Sequence, residues 1–211
     1  MYRRQIEAIG EKNQKILAEK SVLIVGAGGL GNILATTISC IGLKKIYIID
    51  FDKIEIHNIH RQFQFYEEDC GQSKSIMLSE KLNKRCKDTE IIGLNKTFKN
   101  DLKINDIDLI FDATDNFDVR IEIDKFAKAH SIPWIYASVE EFRGQVGVFK
   151  TTSFEIFATK EHKVKGQFPP MVNLIGSIAS MLGLKVLIGE QEEIFYYIDF
   201  EKDLEIKKFK F

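Results

Sequence analysis

Cysteine is scarce in this chain: three occur among its 211 residues, namely Cys40, Cys70 and Cys86. Their positions show no paired spacing, so we expect no disulfide framework and a reducing, cytoplasmic environment. No C-x-x-C pair is present, whereas a structural zinc site normally uses four cysteine or histidine ligands at short spacing. We therefore expect no zinc site.

The chain also lacks an excess of either charge, because its 30 Lys and Arg side chains nearly cancel its 31 Asp and Glu side chains. A net charge of −1 gives no reason to expect nucleic acid or a polyanionic surface as a partner. The first twenty residues are polar and show no apolar region typical of a signal peptide. We expect no apolar run long enough to span a bilayer, and hence no membrane partner.

Apolar residues make up 45% of the chain, which is enough for a substantial core in a single domain. Strands and helices are predicted to alternate as far as residue 130, after which strands dominate. This order predicts an α/β fold with a doubly wound mixed sheet, parallel in its first half and antiparallel in its second. The predicted strands are 21–25, 45–50, 90–95, 108–114, 132–138 and 144–150, with a further one considered at 153–158, and the predicted helices are 30–41, 73–86, 116–130 and 172–188.

A glycine-rich turn follows the first predicted strand, in "SVLIVGAGGLG". Gly26, Gly28 and Gly31 fit the G-x-G-x-x-G pattern, which combines a tight turn, close approach of backbone to phosphate and close packing of helix on strand. The helix that begins here offers free N–H groups to an anion. Asp50 ends the second strand, where an acid can bind ribose hydroxyls. Adenosine with phosphates is therefore predicted as a ligand, without an indication of the reaction.

The segment that follows Asp50 is unlike that of a nicotinamide enzyme, which usually continues into an ordinary crossover helix. Here a polar loop brings Asn58, His60, Arg61 and Gln62 close together in sequence. Because the loop leaves the carboxyl end of the second strand, Arg61 is expected to direct a fixed cation at the phosphates. For a loop in that position, a phosphate site is a better interpretation than a zinc pair formed by two histidines.

A lysine and two carboxylates complete the candidate site. Lys74 lies at the start of a predicted helix, where it opposes the helix dipole, and a bound phosphate would explain its position. Asp112 and Asp115 follow a later buried strand, and a carboxylate beside a triphosphate indicates Mg²⁺. The alternatives are a solvated surface charge for Lys74 or Arg61, and helix capping by Asp112 or Asp115. Asp115 or Asn116 is expected to cap the helix at 116–130.

Six short motifs now carry a family resemblance. In order and spacing they are similar to those of the ThiF/MoeB/HesA family, whose members resemble the adenylation domain of ubiquitin-activating enzymes. The resemblance covers residues 1–150 well and the helix at 173–189 more loosely. The motifs are "YRRQI" (2–6), "GAGGLG" (26–31), "IIDFD" (48–52), "NIHRQ" (58–62), "GQSK" (71–74) and "DATDN" (112–116).

The resemblance implies an enzyme that binds ATP and Mg²⁺ and adenylates the C-terminal glycine of a small ubiquitin-like sulfur carrier, which ends in Gly-Gly. It implies a helical segment at 1–20 before an adenylation domain at 21–211, and a homodimer in which Arg4 reaches the neighbouring subunit's ATP. Asp50 would hold ribose, and Asp115 would support Mg²⁺. The implied catalytic residues are Arg4, Arg61, Lys74 and Asp115, and the implied ATP-binding residues are Gly26, Gly28, Gly29, Gly31, Asp50, Asp52, Asn58, Arg61, Gln62, Lys74, Asp115 and Asn116.

The chain departs from some relatives in having no cysteine in the loop at 158–171, so we expect it to stop at the acyl-adenylate. Cys40 is expected in the core, acidic neighbours are expected to raise the pKa of Cys70, and cations near Cys86 could lower its pKa. None of the three is expected to act covalently.

Two carriers and two other classes of protein remain open. A ThiS-like carrier for thiamine thiazole synthesis is the leading substrate, and a MoaD-like carrier for molybdopterin is the alternative. A non-catalytic subunit that holds a ubiquitin-like protein is a further possibility, although such a subunit should lack the Arg, Lys and Asp set. A nicotinamide-dependent oxidoreductase is the last.

Overall fold

The computed structural model describes residues 1–157 and 166–211. These residues form an eight-stranded mixed sheet with helices on both faces. The strands are β1 Ser21–Val25, β2 Lys45–Ile49, β3 Glu90–Leu94, β4 Leu109–Asp112, β5 Trp134–Glu140, β6 Arg143–Phe149, β7 Ile194–Asp199 and β8 Glu205–Phe209. The helices are α1 Arg3–Ala18, α2 Gly29–Ser39, α3 Lys74–Arg85, α4 Phe117–His130 and α5 Pro169–Leu187.

The strand order across the sheet is β3-β2-β1-β4-β5-β6-β7-β8. Neighbouring strands from β3 to β5 are parallel, and those from β5 to β8 are antiparallel. The predicted fold class is therefore confirmed. The chain moves outward from β1 to β3 and then returns to place β4 on the other side of β1. The gap between β1 and β4 is thus a topological switch point, where open α/β sheets bind ligands.

Strand β1 is buried on both faces, as its continuous apolar run predicts. Val22 and Ile24 belong to the core that lies under α2, α3 and α5, whereas Leu23 and Val25 belong to the core under α4. Full burial of one such side chain contributes about 1.5–3 kcal/mol to the stability of the folded protein. The position of β1 at the centre of two cores fixes the glycine turn that follows it.

Helix α5 packs on the sheet and against α2, and close contacts explain two of its glycines. A side chain at Gly176 would meet Ile33 of α2, and one at Gly183 would meet Phe111 of β4. By length and composition alone this helix could cross a membrane, which corrects the expectation that no apolar run reaches that length. Half of its apolar window is buried inside the protein, so the composition is that of a helix packed on a sheet.

Two local predictions differ from the structure. Residues 153–158 do not add a strand, because Phe154–Phe157 form a 3₁₀ helix in which the ring of Phe154 packs 5.5 Å from that of Trp134. The helical segment expected at 1–20 forms α1, but it is interrupted by a kink at Gly10, which has φ 81° and ψ 156°. Most of the loop expected at 158–171 lies outside the described residues. The division of the chain at residue 20 stays a prediction.

Candidate functional site

A cleft of about 410 Å³ opens at the carboxyl ends of β1, β2 and β4, at the switch point of the sheet. The predicted ATP-binding residues line it, with the exception of Gly31. Those in its lining are Gly26, Gly28, Gly29, Asp50, Asp52, Asn58, Arg61, Gln62, Lys74, Asp115 and Asn116. Arg4 does not line it. The fold therefore brings together side chains that are as far apart in sequence as the glycine turn and the start of α4.

The glycine turn needs glycine for two different reasons. Gly26 has φ 98°, in the left-handed region, and a side chain there would lie 2.7 Å from the carbonyl oxygen of Ala113. A side chain at Gly31 would collide with the carbonyl of Gly26, so Gly31 allows α2 to pack on the turn instead of contacting a ligand. Helix α2 begins after Gly28 with no side-chain cap. Its first N–H groups are therefore available to an anion in the cleft.

Asp50 ties the turn to the next loop. One carboxylate oxygen accepts a hydrogen bond from the N–H of Ala27 (2.6 Å), and the other accepts from the N–H of Asp52 (2.7 Å). Burial raises the pKa of Asp50, and these two hydrogen bonds oppose that effect. Each oxygen retains a second lone pair, so the side chain can still accept bonds from ribose hydroxyls.

The loop at 53–65 places Arg61 and Gln62 beside the glycine turn. Asn58 holds it, because the carbonyl of Asn58 accepts the N–H of both Arg61 and Gln62 at 3.1 Å. Nη1 of Arg61 donates to the carbonyl of His57 (3.1 Å) and lies 2.8 Å from Nε2 of His60. The Arg61 side chain also faces Gly29, where an added Cβ would lie 3.5 Å from its carbons.

Two buried polar atoms of this loop have no partner among the residues that the structure describes. They are Nε of Arg61 and Oε1 of Gln62, and both residues line the cleft. A buried polar group without a hydrogen bond costs about 1–3 kcal/mol, so native proteins rarely leave one. An unpaired donor and an unpaired acceptor on residues that line one cleft favour a polar ligand there, and nucleotide phosphates and hydroxyls match both.

Lys74 is not a solvated surface charge, since it is only 7% exposed. It is the first residue of α3, and its Nζ lies 2.9 Å from Oδ2 of Asp52, whose side chain is half exposed. The side chain of Lys74 therefore lies at the cleft, held by a carboxylate that solvent reaches. Asp52 was predicted only as an ATP-binding residue. In the structure it is also the ion-pair partner of Lys74.

Asp112 forms a buried ion pair and does not cap α4. It is fully buried and accepts hydrogen bonds from N–H and Oγ1 of Thr114 at 2.9 Å and 2.7 Å. Its other oxygen accepts from Nε of Arg120 at 3.1 Å. Burial raises the pKa of the Asp112 carboxyl, an effect that the Arg120 charge and the Thr114 hydrogen bonds oppose. An ion pair with Arg120 thus takes the place of the capping role considered for Asp112 from the sequence.

The sequence did not single out Arg120, which lines the cleft and donates to the carbonyl of Thr114 at 2.5 Å. A cation in the first turns of a helix opposes the dipole, and the same signal that selected Lys74 could have selected Arg120. Asn116, not Asp115, caps α4, because its side chain accepts from the N–H of Val119 at 3.1 Å. Asp115 is thereby left at the cleft without a capping role, where its carboxylate suits Mg²⁺ beside phosphate.

Arg4 lies on α1, where it pairs with Glu7 at 2.8 Å and its side chain is 91% exposed. The structure thus does not bring Arg4 to the cleft of its own chain. Among the described residues, no group of three or more His, Cys, Asp or Glu side chains is close enough to hold a metal ion. The absence of zinc stays a prediction.

The cysteines depart from expectation at one point. Cys86 is buried beside Cys40, and burial raises the pKa of its thiol by more than the Arg85 charge lowers it, so the expected net lowering is wrong. Cys40 packs against the core as predicted, and Cys70 is exposed.

Comparison with known proteins extends these findings. The model of the ThiF family matches residues 2–208. A sulfur carrier protein adenylyltransferase from Thermus thermophilus is 28% identical over 89% of this chain and 77% of its own length. The sulfur carrier protein ThiS adenylyltransferase of Escherichia coli K12 is 28% identical over 89% of this chain and 81% of its own. An adenylyltransferase and sulfurtransferase MOCS3 from Caenorhabditis briggsae is 35% identical, but this chain spans 38% of its length.

Solved structures show the same fold. The crystal structure of E. coli MccB with AMPCPP and MccA has a TM-score of 0.83 and 21% identity, over 93% of this chain and 65% of that one. PaaA has a TM-score of 0.85 and 19% identity, over 99% of this chain and 72% of that one. At such identities the likeness shows the fold alone.

The relatives along most of the chain are named adenylyltransferases, and the switch-point cleft with cations around its glycine turn fits a nucleotide-binding α/β enzyme of that class. The family model then makes the assignment specific: this chain belongs to the ThiF family.

Proposed function

We propose that this enzyme transfers the adenylyl group of ATP to the C-terminal glycine of a small ubiquitin-like sulfur-carrier protein ending in Gly-Gly, with release of pyrophosphate. The observation that carries the proposal is the set of cations, free backbone N–H groups and unpaired polar atoms that surrounds one cleft. Arg61 and Lys74 flank a glycine turn with free N–H groups, and Nε of Arg61 and Oε1 of Gln62 have no partner among the described residues.

The reaction requires positioning and charge stabilisation more than a protein nucleophile. The carrier carboxylate attacks the α-phosphorus, and the bond to the pyrophosphate oxygen breaks as negative charge accumulates on the leaving group. Arg61 and Lys74 can stabilise that charge, and the N–H groups of the glycine turn can hold a phosphate. Asp115 is the carboxylate that would hold Mg²⁺, which supplies further neutralisation of the phosphates when bound.

Several features support the choice of substrate class. Relatives along most of the chain are named adenylyltransferases of sulfur carriers. The leading carrier is ThiS-like, for thiamine thiazole synthesis. A MoaD-like carrier is the alternative, because other relatives are named probable molybdopterin-synthase adenylyltransferases. This chain spans less than half of the MOCS3 relatives, so their sulfurtransferase step is not part of the proposal. A cytoplasmic location is also proposed, from the cysteine pattern.

Carrier-dependent exchange between ATP and pyrophosphate tests the proposal. We expect the purified protein with a Gly-Gly-ended ThiS-like carrier to move label from pyrophosphate into ATP. The matched control is the same carrier without its last glycine, which should support no exchange because the attacking carboxylate is displaced. A MoaD-like carrier tested in parallel identifies the preferred substrate. Equal label transfer with the truncated carrier, or none with any carrier, would contradict the proposal, and nicotinamide binding without exchange would favour an oxidoreductase.

The proposed enzyme is a homodimer in which Arg4 serves the neighbouring active site. Two features support this: Arg4 is exposed on α1 and does not line its own cleft, and the family resemblance sends it to the partner's ATP. An arginine supplied in trans can contribute strongly to phosphoryl chemistry. The alternative is a solvated N-terminal charge.

Mixing two inactive variants separates these alternatives. If Arg4 acts in trans, a mixed dimer of Arg4→Ala and Asp115→Ala chains has one site with both defects and one with neither. Activity should then return to at most about a quarter of wild type at random exchange, since half of the dimers are mixed and each has one intact site. Subunit exchange confirmed by differently tagged chains, with no return of activity, would refute the shared site. So would a fully active monomer.

A further inference from the structure

Two thiols that are far apart in sequence meet at the ends of two helices. Sγ of Cys40 and Sγ of Cys86 are 3.6 Å apart, although 46 positions separate the residues. Cys40 is the C-cap of α2 and Cys86 is the C-cap of α3. A disulfide bond is about 2.0 Å long, so an approach of about 1.5 Å would join the sulfur atoms. We propose that Cys40 and Cys86 form a reversible intramolecular disulfide, which makes this pair an oxidative modification site.

The surroundings of the pair favour a specific bond over a chance contact. Cys86 is 3% exposed, whereas Cys40 is half-buried, so Cys40 is the more exposed residue of the pair and the one expected to meet a small oxidant first. The thiol of Cys86 donates to Oγ of Ser39 at 3.4 Å. Next to the pair, the ring of Tyr2 lies over Gly42, whose φ of +79° and close contact with the ring leave no room for a side chain. The sulfur atoms are therefore placed together by the adjoining ends of α2 and α3 and by the contact of Cys86 with Ser39.

The chemistry balances with a low-molecular-weight disulfide as the oxidant. The Cys40 thiolate attacks one sulfur of the reagent and expels the first reagent thiolate, which leaves a mixed disulfide on Cys40. The Cys86 thiolate then attacks Sγ of Cys40 and expels the second reagent thiolate. Two protein thiols lose two electrons and two protons, and the reagent becomes two thiols. Because burial raises the pKa of Cys86, the second step should accelerate as the pH rises.

The bond would connect the two helices that supply the cleft. Helix α2 begins at the glycine turn and α3 begins at Lys74, and their C-terminal ends carry the cysteine pair. A cross-link over 46 positions restricts the unfolded chain and should raise the melting temperature of the oxidised protein. In a reducing compartment the same pair returns to thiols, so the site responds to oxidants and is not a permanent structural bridge.

Oxidised glutathione applied to the folded wild-type chain tests the proposal. After alkylation of free thiols and proteolysis, we expect a peptide pair joined through Cys40 and Cys86 and lighter by two hydrogens, which dithiothreitol separates. Cys70 is exposed and serves as the internal control, since its glutathionylation proves that the reagent acted. Glutathionylated Cys70 with Cys40 and Cys86 unlinked would overturn the proposal.

A variant gives a second measurement on the same pair. Cys86→Ser removes the resolving thiol, so glutathione should remain on Cys40, and the rise in melting temperature seen for the oxidised wild type should be lost. Cys70→Ser is the matched control and should retain both the linked peptide and the rise. An equal rise in the oxidised Cys86→Ser protein would show that the stabilisation has another origin. These readouts do not depend on adenylation, so they remain decisive if the proposed function fails.

Discussion

Replacement of Arg61 or Lys74 by alanine should lower carrier-dependent exchange of pyrophosphate into ATP by about 30- to 1,000-fold, which corresponds to about 2–4 kcal/mol of transition-state stabilisation. Both side chains line the cleft beside the glycine turn. They are held before any ligand arrives, Arg61 by the carbonyl of His57 and Lys74 by Asp52. Charges that are already oriented need little reorganisation when the leaving group becomes more negative, so their loss should affect the rate more than the fold.

Lys53→Ala is the matched control. Lys53 belongs to the loop at 53–65 that carries Arg61, but it is exposed and does not line the cleft. We expect its exchange rate to stay close to that of the wild type. Removal of Lys74 leaves an unpaired Asp52, but solvent reaches that side chain, so the Lys74→Ala protein should fold. Denaturant unfolding of each variant checks this. Equal losses in Lys53→Ala and Lys74→Ala, or wild-type exchange in Arg61→Ala, would contradict the assigned roles.

The second large effect is on stability and concerns the buried ion pair between Asp112 and Arg120, beside the cleft. Arg120→Ala should lower the free energy of unfolding by about 3–5 kcal/mol, because it leaves the carboxylate of Asp112 buried without its cation. Asp112 is 0% exposed and the Arg120 side chain is 12% exposed, so water cannot replace the missing partner well. Arg120 also donates to the carbonyl of Thr114 and lies over the Tyr136 ring at 4.9 Å.

Urea unfolding measures this effect, and Lys125→Ala on the same helix is the control. Lys125 pairs with Glu122 at 3.7 Å in a solvent-exposed position, so its loss should cost about 0.2–1 kcal/mol. The double variant Asp112→Ala/Arg120→Ala should cost less than the sum of the two single variants, since no buried charge is left unpaired. Additive single effects would show that the two residues do not act as a pair.

The central strands could be predicted because their sequence signal is local. "SVLIV" is apolar throughout and ends in glycines, and this combination specifies a strand buried on both faces before a tight turn. The special position of Lys74 could also be predicted, because a cation at a helix N-terminus needs an anionic partner. In the structure Asp52 is such a partner. In both cases residues within a short segment contain the physical reason for the structure.

Contacts between different helices and strands could not be predicted from the sequence. The spacing of Asp112 and Arg120 does not show that their side chains meet. That contact depends on how α4, which carries Arg120, packs on β4, which ends at Asp112. The meeting of Cys40 with Cys86 likewise depends on two helices ending side by side. The unexpected 3₁₀ helix at Phe154–Phe157 likewise depends on a contact with another element, because Phe154 packs against Trp134 of β5.

The most direct test of the proposed activity is the mass of the carrier after reaction. Incubation of the enzyme with ATP, Mg²⁺ and a Gly-Gly-ended carrier, in the presence of pyrophosphatase, should give a carrier that bears one adenylyl group on its C-terminal carboxylate. Arg61→Ala should form this product much more slowly, and the carrier that lacks its last glycine should gain nothing. An unmodified carrier together with ADP, or an adenylyl group on the truncated carrier, would contradict adenylation of a carrier C-terminus as the function of this protein.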